Sequence, residues 1–433
     1  MRRSLKVGAV VACWLAVGAP SATAAWKPLA SGAMNISDQV SLARTSDGIL
    51  HVGWFRAGYD VLQTPVSPPG TVGTAVPIVS GWASAGNPVL VAQGAALTAF
   101  WPGSPTLVTG DPQAGIDIAS SADGGRTWAV GPSAISSDGF ASSPAAVAAA
   151  GTFLQAFYTG RETVVHAGVD PAVPAAGGYG SGTNQALAAS AAGDAMVAWC
   201  TTGGVFVQAV TPATGAPAGP ASNMPGTGYC DAAARTQLVA RLGGGFVIAA
   251  PDATRRKVLV WPIGSRRAVT IAGGGSFKQQ VALTATPDGR LWAGWQDSET
   301  AKAVFRRSNR TATRWGAAAA VTLPPGRIFQ HNLDAQLDRV DAVIRTQTDA
   351  GTVGLATDQI RPGLTLIATG GKKQSFRVLD AGDPIAGAKI KVASRSLITN
   401  ASGRATADLK PGRHRATASK RGYVNATTQV RAR

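Results

Sequence analysis

The feature that most constrains this chain is a short phrase that keeps returning. Its clearest copies are Ser46-Asp47-Gly48-Ile49-Leu50-His51-Val52-Gly53-Trp54 and Pro287-Asp288-Gly289-Arg290-Leu291-Trp292-Ala293-Gly294-Trp295. Each reads as an Asp-Gly turn followed by an alternating strand that ends on an aromatic residue. Asp-Gly before such a run is a hairpin signal, because Gly accepts the positive φ of a primed turn. Five weaker copies share the frame, so the phrase ends at residues 54, 101, 158, 199, 250, 295 and 344.

The intervals are 47, 57, 41, 51, 45 and 49 residues. Each copy is preceded by an apolar strand, such as Gln39–Ala43, and followed by another, such as Val205–Val210. A period of this size in an all-β chain is that of a four-stranded propeller blade. The expected fold is therefore all-β: a seven-bladed β-propeller over residues 25–365, a linker over 366–374 and a small β-sandwich over 375–433. The last repeat lacks an outer strand, and Trp26–Ala30 is a strand without a repeat. That segment is predicted to complete the last blade and close the ring.

Met1-Arg2-Arg3, the apolar run from Val7 to Val17 and Ser21-Ala22-Thr23-Ala24-Ala25 form the three parts of a secretory signal. Residues 1–24 are read as that signal, which predicts a secreted or cell-envelope protein. No later run reaches the ~20 apolar residues of a membrane span. Two cysteines then remain, Cys200 and Cys230. The repeat places both at one face of the ring, so a disulfide between them is expected.

The net charge of +17 is unevenly spread. Residues 370–433 hold fourteen Lys/Arg and three Asp, whereas residues 25–369 carry a net of only +3. No aromatic interleaving or nucleic-acid-binding signature accompanies the basic residues. An anionic cell-envelope polymer is the expected partner of this segment, and nucleic acid is not. The four histidines show no metal spacing, so neither a metal nor a cofactor is expected.

Ser121, Asp123, Gly125, Thr127 and Trp128 fill all five defining positions of the Asp-box, Ser-x-Asp-x-Gly-x-Thr-Trp. The segment thus resembles the sialidase-like propellers (Asp-box, or BNR-repeat, proteins). A degenerate copy at Ser308–Trp315 keeps only the Ser and the Trp. The resemblance implies a structural hairpin between outer strands, remote from the substrate face. Residues 375–433 resemble the carboxypeptidase-regulatory-like and Cna-B modules through Pro384-Ile385-Ala386-Gly387-Ala388, Asn400-Ala401-Ser402-Gly403 and Gly422-Tyr423. This module contains no Glu, so the isopeptide bond of some Cna-B relatives is not expected.

Sialidase chemistry would need three arginines for a carboxylate, a Tyr–Glu nucleophile pair and an Asp acid/base. Asp38-Gln39-Val40 stands where the family's opening arginine falls, and no Tyr–Glu pair has a family-like context. Arg56 and Asp60 do resemble the family's next Arg and Asp. The loops at one end of the repeats supply Arg56, Asp60, Arg161, Glu162, Asp252, Asp297, Glu299 and Arg345 as ligand-face candidates, with His331 and Asn332 entering the last blade. Asp297 and Glu299 could serve hydrolysis if they lie at a suitable distance. The reading is a monomeric binding protein for an extracellular glycan or protein ligand. The alternative is a secreted glycoside hydrolase of the sialidase type.

Overall fold

The computed structural model describes residues 26–31, 39–56, 60–105, 115–133, 135–136, 142–228, 237–300, 302–348 and 350–432. The expected signal segment and Cys230 lie outside them. Every regular element among the described residues is a β-strand. No helix there is long and apolar enough to cross a membrane.

The described residues between 27 and 360 form seven antiparallel sheets in succession. The phrase that ends at 54, 101, 158, 199, 250, 295 and 344 is the second strand of each sheet. Its aromatic ends are core residues: Trp54, Trp101, Trp199 and Trp295 are all at most 5% exposed. The first strands are Ser41–Arg44, Val89–Gln93, Ser142–Ala149, Thr183–Ala189, Gln237–Ala240, Lys278–Ala285 and Arg327–Ala335. Each touches the first strand of the next sheet, and the seventh touches that of the first sheet. The cycle is therefore closed. Seven apolar clusters fill the seams, each drawing on two consecutive sheets, including the last and the first.

Closure has two parts. The strand Lys27–Ser31 pairs antiparallel with Val353–Ile360 and becomes the outer strand of the seventh sheet. At the inner end, Arg44 of the first sheet binds Asp334 and Asp341 of the seventh, each at 2.5 Å. Burial pushes the Asp334 carboxyl up, and Arg44 opposes that push. The sequence did not single out this triad.

The Asp-Gly turns differ from the primed turn expected of them. Gly48 N–H donates to Thr45 O, Thr45 N–H donates to Ile49 O, and Gly48 has φ +84°. Ser46 and Asp47 are not in the left-handed region. A primed type I′ turn needs positive φ at both central residues, whereas a three-residue loop needs one left-handed glycine after a type I turn. Asp47 accepts bonds from Thr45 Oγ1 and Ile49 N–H, which fixes that shape.

The expected linker is also corrected. Thr365–Gly370 is a strand that pairs with Lys373–Asp380, and the turn at Gly370-Gly371-Lys372 joins them. The alternation in Thr365-Leu366-Ile367-Ala368-Thr369 puts Leu366 into a core, which is why the segment is ordered as sheet. Two four-stranded sheets complete this C-terminal region. One contains Thr365–Gly370, Lys373–Asp380, Asp383–Pro384 and Arg404–Asp408. The other runs in the order Arg395–Ile398, Lys389–Val392, Gly412–Ser419, Ala426–Ala432. One core, including Phe376, Val378, Ile390, Val392 and Ala416, draws on both.

The C-terminal region is sutured to the sixth sheet through buried charges. Arg307 (3% exposed side chain) is ion-paired with Asp380 (1%). Arg290 reaches Asp380 at 3.3 Å, Asp383 at 2.7 Å and Asp288 at 3.3 Å. The Arg307 guanidinium also lies 5.7 Å from the Trp292 ring centre and 5.4 Å from that of Tyr423. Backbone bonds between Val424 and Pro362 and between Leu364 and Val424 complete the seam.

Candidate functional site

The loops that follow the second strands carry most of the sequence-predicted residues, and local partners hold several of them. Arg56 ends the strand Leu50–Arg56 and Asp60 begins the next, so the hairpin register puts them opposite one another. Arg56 Nε donates to Asp60 at 3.0 Å, and this bond holds the Asp60 carboxyl below its ordinary range. Asp60 also accepts from Gly81 N–H at 3.1 Å. Glu162 accepts from Gly178 N–H at 2.9 Å, while Arg161 is exposed.

Asp252 builds a turn. Its Oδ1 accepts Arg256 and Lys257 N–H at 2.8 and 2.9 Å, and Thr254 Oγ1 donates to its other oxygen. Arg255 is left-handed at φ +56° in this turn. Asp297 receives the Lys278 ammonium at 2.8 Å and the Ser276 hydroxyl at 2.9 Å. Burial works against its charge, but Lys278 and Ser276 outweigh it and hold the carboxyl below its usual range. A carboxylate so held is a poor proton donor near neutrality. Glu299 is exposed, and its N–H donates to Asp297.

His331 and Arg345 lie in the seventh sheet, 3% and 2% exposed, so neither stands at the solvent end. His331 stacks on Phe305 with ring centres 6.3 Å apart, and burial lowers its pKa to about 4. His51, which falls within the repeated phrase, is a linker between sheets. It contacts Thr45 Oγ1 at 3.1 Å and Gln63 Oε1 at 3.0 Å, and Gln63 Nε2 donates to Gly125 O of the second sheet.

The five residues that match the Asp-box pattern form a tight hairpin between Gly115–Ser121 and Ala129–Val130. Asp123 accepts from Arg126 N–H, Thr127 N–H, Thr127 Oγ1 and Ser121 Oγ. These bonds, led by those from Thr127, hold its carboxyl far below the usual range. Gly125 has φ +80°, and a Cβ there would meet Gln63 Nε2 at 2.9 Å. Trp128 packs on the seam between the first and second sheets. The degenerate copy works one residue out of frame. Asn309 Oδ1 accepts Thr313 and Arg314 N–H, and Ala312 takes φ +55°. Asp252 repeats this geometry, with bonds four and five residues ahead and a left-handed residue three ahead. A frame search with a fixed Asp position misses both.

The feature that sequence reasoning missed is the axial cavity. It has a volume of about 190 Å³ and is lined by first-strand residues, including Ser41, Leu42, Gln185, Gln237, Asn332 and Leu333. No charged side chain is among the described residues that line it. Gln185 Oε1 and Asn332 Nδ2 are buried without a hydrogen-bond partner among the described residues. At about 30 Å³ per water, the space holds roughly six waters or a small polar group of comparable size. Around this axis, amides tie neighbouring sheets together. Asn87 Oδ1 accepts Gln39 N–H at 2.8 Å, and Gln330 Oε1 accepts Val40 N–H at 3.1 Å. The available signal was the Asn or Gln near the start of first strands, as in Asn184-Gln185, Gln237 and Gln330. No group of three or more metal-ligating side chains is assembled among the described residues.

No protein-family model matches the chain, and no curated protein matches it. Among solved structures, it is similar to a protein of unknown function from Dyadobacter fermentans (13% identity, TM-score 0.43, covering 78% of this chain and 99% of that one). It is similar to virginiamycin B lyase from Staphylococcus aureus at 9% identity and TM-score 0.46, covering 77% of this chain and 99% of that one. A Hadza microbial sialidase matches at 15% identity and TM-score 0.44, covering 60% of this chain and 63% of that one.

Proposed function

We propose that this protein is a secreted or envelope-exposed binding protein. Its parts are a seven-bladed propeller with Asp-box hairpins and a small basic β-sandwich of the carboxypeptidase-regulatory-like type. The propeller takes an extracellular ligand, a glycan or a protein, at the end where the axial cavity opens. The sandwich contacts an anionic envelope polymer. In this reading Cys200 and Cys230 form a disulfide.

The observation that carries the binding assignment is the uncharged axial cavity, with Ser41, Gln185, Gln237 and Asn332 in its lining. A hydroxyl- or amide-bearing ligand can exchange hydrogen bonds with such a lining, as the few polar groups of a binding pocket do. A carboxylate would find no guanidinium in that lining, so a neutral glycan suits it better than a sialoside. The test is a glycan-array screen with the mature protein, repeated with Gln185→Leu and Asn332→Leu. Binding that is unchanged in both variants would remove the cavity from the ligand site.

A further inference from the structure

We propose that the outer face of the sheet built from Lys389–Val392, Gly412–Ser419 and Ala426–Ala432 is a docking surface for a linear phosphodiester polymer. This rests on the preceding reading that the C-terminal module meets an anionic polymer; it adds the face, the residues and the chemistry.

Strand alternation sorts the module's charges. Ile390, Val392, Ala416, Ala418, Val430 and Ala432 point into the core. Their neighbours Lys389, Lys391, Arg413, Arg415 and Arg431 are exposed and must share the opposite face. Register places them side by side: Lys391 opposes Thr417, Arg415 opposes Gln429, and Arg413 opposes Arg431. The remaining places on these strands are filled by Ser419, Thr417, Thr427 and Gln429, which bring hydroxyl and amide groups and no acid. Thr417 and Thr427 bond one another through their hydroxyls at 3.3 Å. The face carries no aromatic side chain on these three strands.

The other sheet of the module carries fewer charges. Its outward residues include Lys373 and an opposed pair of arginines, Arg377 and Arg404, but Asp408 lies directly across from Lys373. The module's other two acids, Asp380 and Asp383, are taken by arginines of the sixth sheet. The positive field therefore belongs chiefly to one face. Like charges directly opposite across two strands are destabilising. Arg413 and Arg431 are such a pair, and no ion pair among the described residues offsets it.

The layout fits a strand-like polyanion. From Ser419 to Arg413 the track is about 20 Å long at ~3.4 Å per residue, and same-side neighbours on a strand lie about 7 Å apart. Cβ atoms of Arg413 and Arg431 lie about 5 Å apart as a cross-strand pair. Two guanidiniums at that spacing can share the two non-bridging oxygens of one phosphodiester through charge-assisted, forked bonds. Single-stranded nucleic acid is disfavoured because binding sites for it add aromatic platforms on which bases stack.

The test uses the whole mature protein with long-chain inorganic polyphosphate, poly(glycerol phosphate), polygalacturonate and duplex DNA as probes. One variant neutralises the face: K389Q, K391Q, R413Q, R415Q and R431Q. A second neutralises five other exposed cations: K372Q, K373Q, R404Q, K410Q and R421Q. The unaltered protein should bind both phosphate polymers with a salt slope of about −3.5, taking ~0.7 per phosphate contact and five contacts. The face variant should lose at least about tenfold in affinity and most of that slope, and the second variant should keep both. A milder variant, R413K/R431K, keeps charge and fold but should bind more weakly because the bidentate fork is gone. Equal losses in the two five-site variants would overturn the choice of face while leaving a general polyanion attraction standing. Polygalacturonate bound as tightly as the phosphate polymers would overturn the phosphodiester assignment, and duplex DNA bound more tightly than poly(glycerol phosphate) would overturn the choice of a polymer other than nucleic acid. Failure of the unaltered protein to bind any polyanion would overturn the preceding reading itself.

Discussion

Removing the Asp380 carboxyl should loosen the C-terminal module from the sixth sheet. In Asp380→Ala, Arg307 keeps one fixed acceptor, Leu337 O at 2.9 Å, and the Tyr423 hydroxyl at 3.2 Å. Its side chain is 3% exposed, so water cannot replace the lost charge. Arg290 fares better, because Asp383 and Asp288 still reach it. Breaking a buried ion pair by removing one partner costs about 3–5 kcal/mol, and the damage here falls on one arginine, so about 3 kcal/mol is expected. Arg307→Ala in the same background should return part of the loss, since the orphaned charge is then gone. The assay is urea unfolding followed by tryptophan fluorescence, with Trp292 beside Arg307 as the local reporter. The full cycle of two single variants and the double variant gives the coupling. A loss below about 1 kcal/mol for Asp380→Ala, or a coupling below about 0.5 kcal/mol, would refute the suture.

Acid should destabilise the protein through its buried histidines. Burial lowers His331 to about 4 and also lowers His51 and His166. The unfolded chain binds these protons near pH 6.5, so stability present above that value is lost as pH falls toward 4. His331 alone accounts for about 3 kcal/mol at ~1.4 kcal/mol per pH unit. His331→Phe should flatten that part of the pH profile, and an unchanged profile would count against the assignment. Asp123→Ala should speed amide exchange at Arg126 and Thr127 while leaving ligand binding intact, read by hydrogen exchange and the glycan array. Non-reducing peptide mapping should recover Cys200 linked to Cys230. Reduction should cost about 3–4 kcal/mol for a loop of about thirty residues. The mature protein should not turn over a fluorogenic sialoside, and turnover lost in Arg56→Ala would reverse that reading.

The parts of the fold that were legible in the sequence are those written as period and pattern. The aromatic-ended strand recurs because its last residue fills the seam with the preceding sheet, as Trp54, Trp101, Trp199 and Trp295 do. The missing outer strand of the last repeat was likewise visible as a gap that Lys27–Ser31 fills. The site was less legible. Charged residues at strand ends attract attention, yet Asp252 and Asp60 serve their own hairpins. The residues that line the axis are amides and small apolar side chains, which carry no chemical signature singly. Their significance comes from the ring that brings residues 41, 185 and 332 to one cavity. The suture at Arg307 and Asp380 was hidden for the same reason, since 73 positions separate its partners.

The pairing of Lys27–Ser31 with Val353–Ile360 sets an order of assembly. Lys27 is among the first residues of this fold to be synthesised, and its partner Thr357 is among the last of the ring. The opening strand must therefore wait, with its hydrogen-bonding edge bare, until nearly the whole ring exists. Six sheets can form from local hairpins as the chain emerges, but the seventh needs both ends at once. Contacts of such sequence separation are slow to form, because the loop must close before the contact rewards it. An unpaired edge is also a template for pairing with another chain. A chain cut short before Val353 would thus leave the opening strand without its partner in the same molecule. Such truncation products should associate with one another, each lending its opening strand to a neighbour.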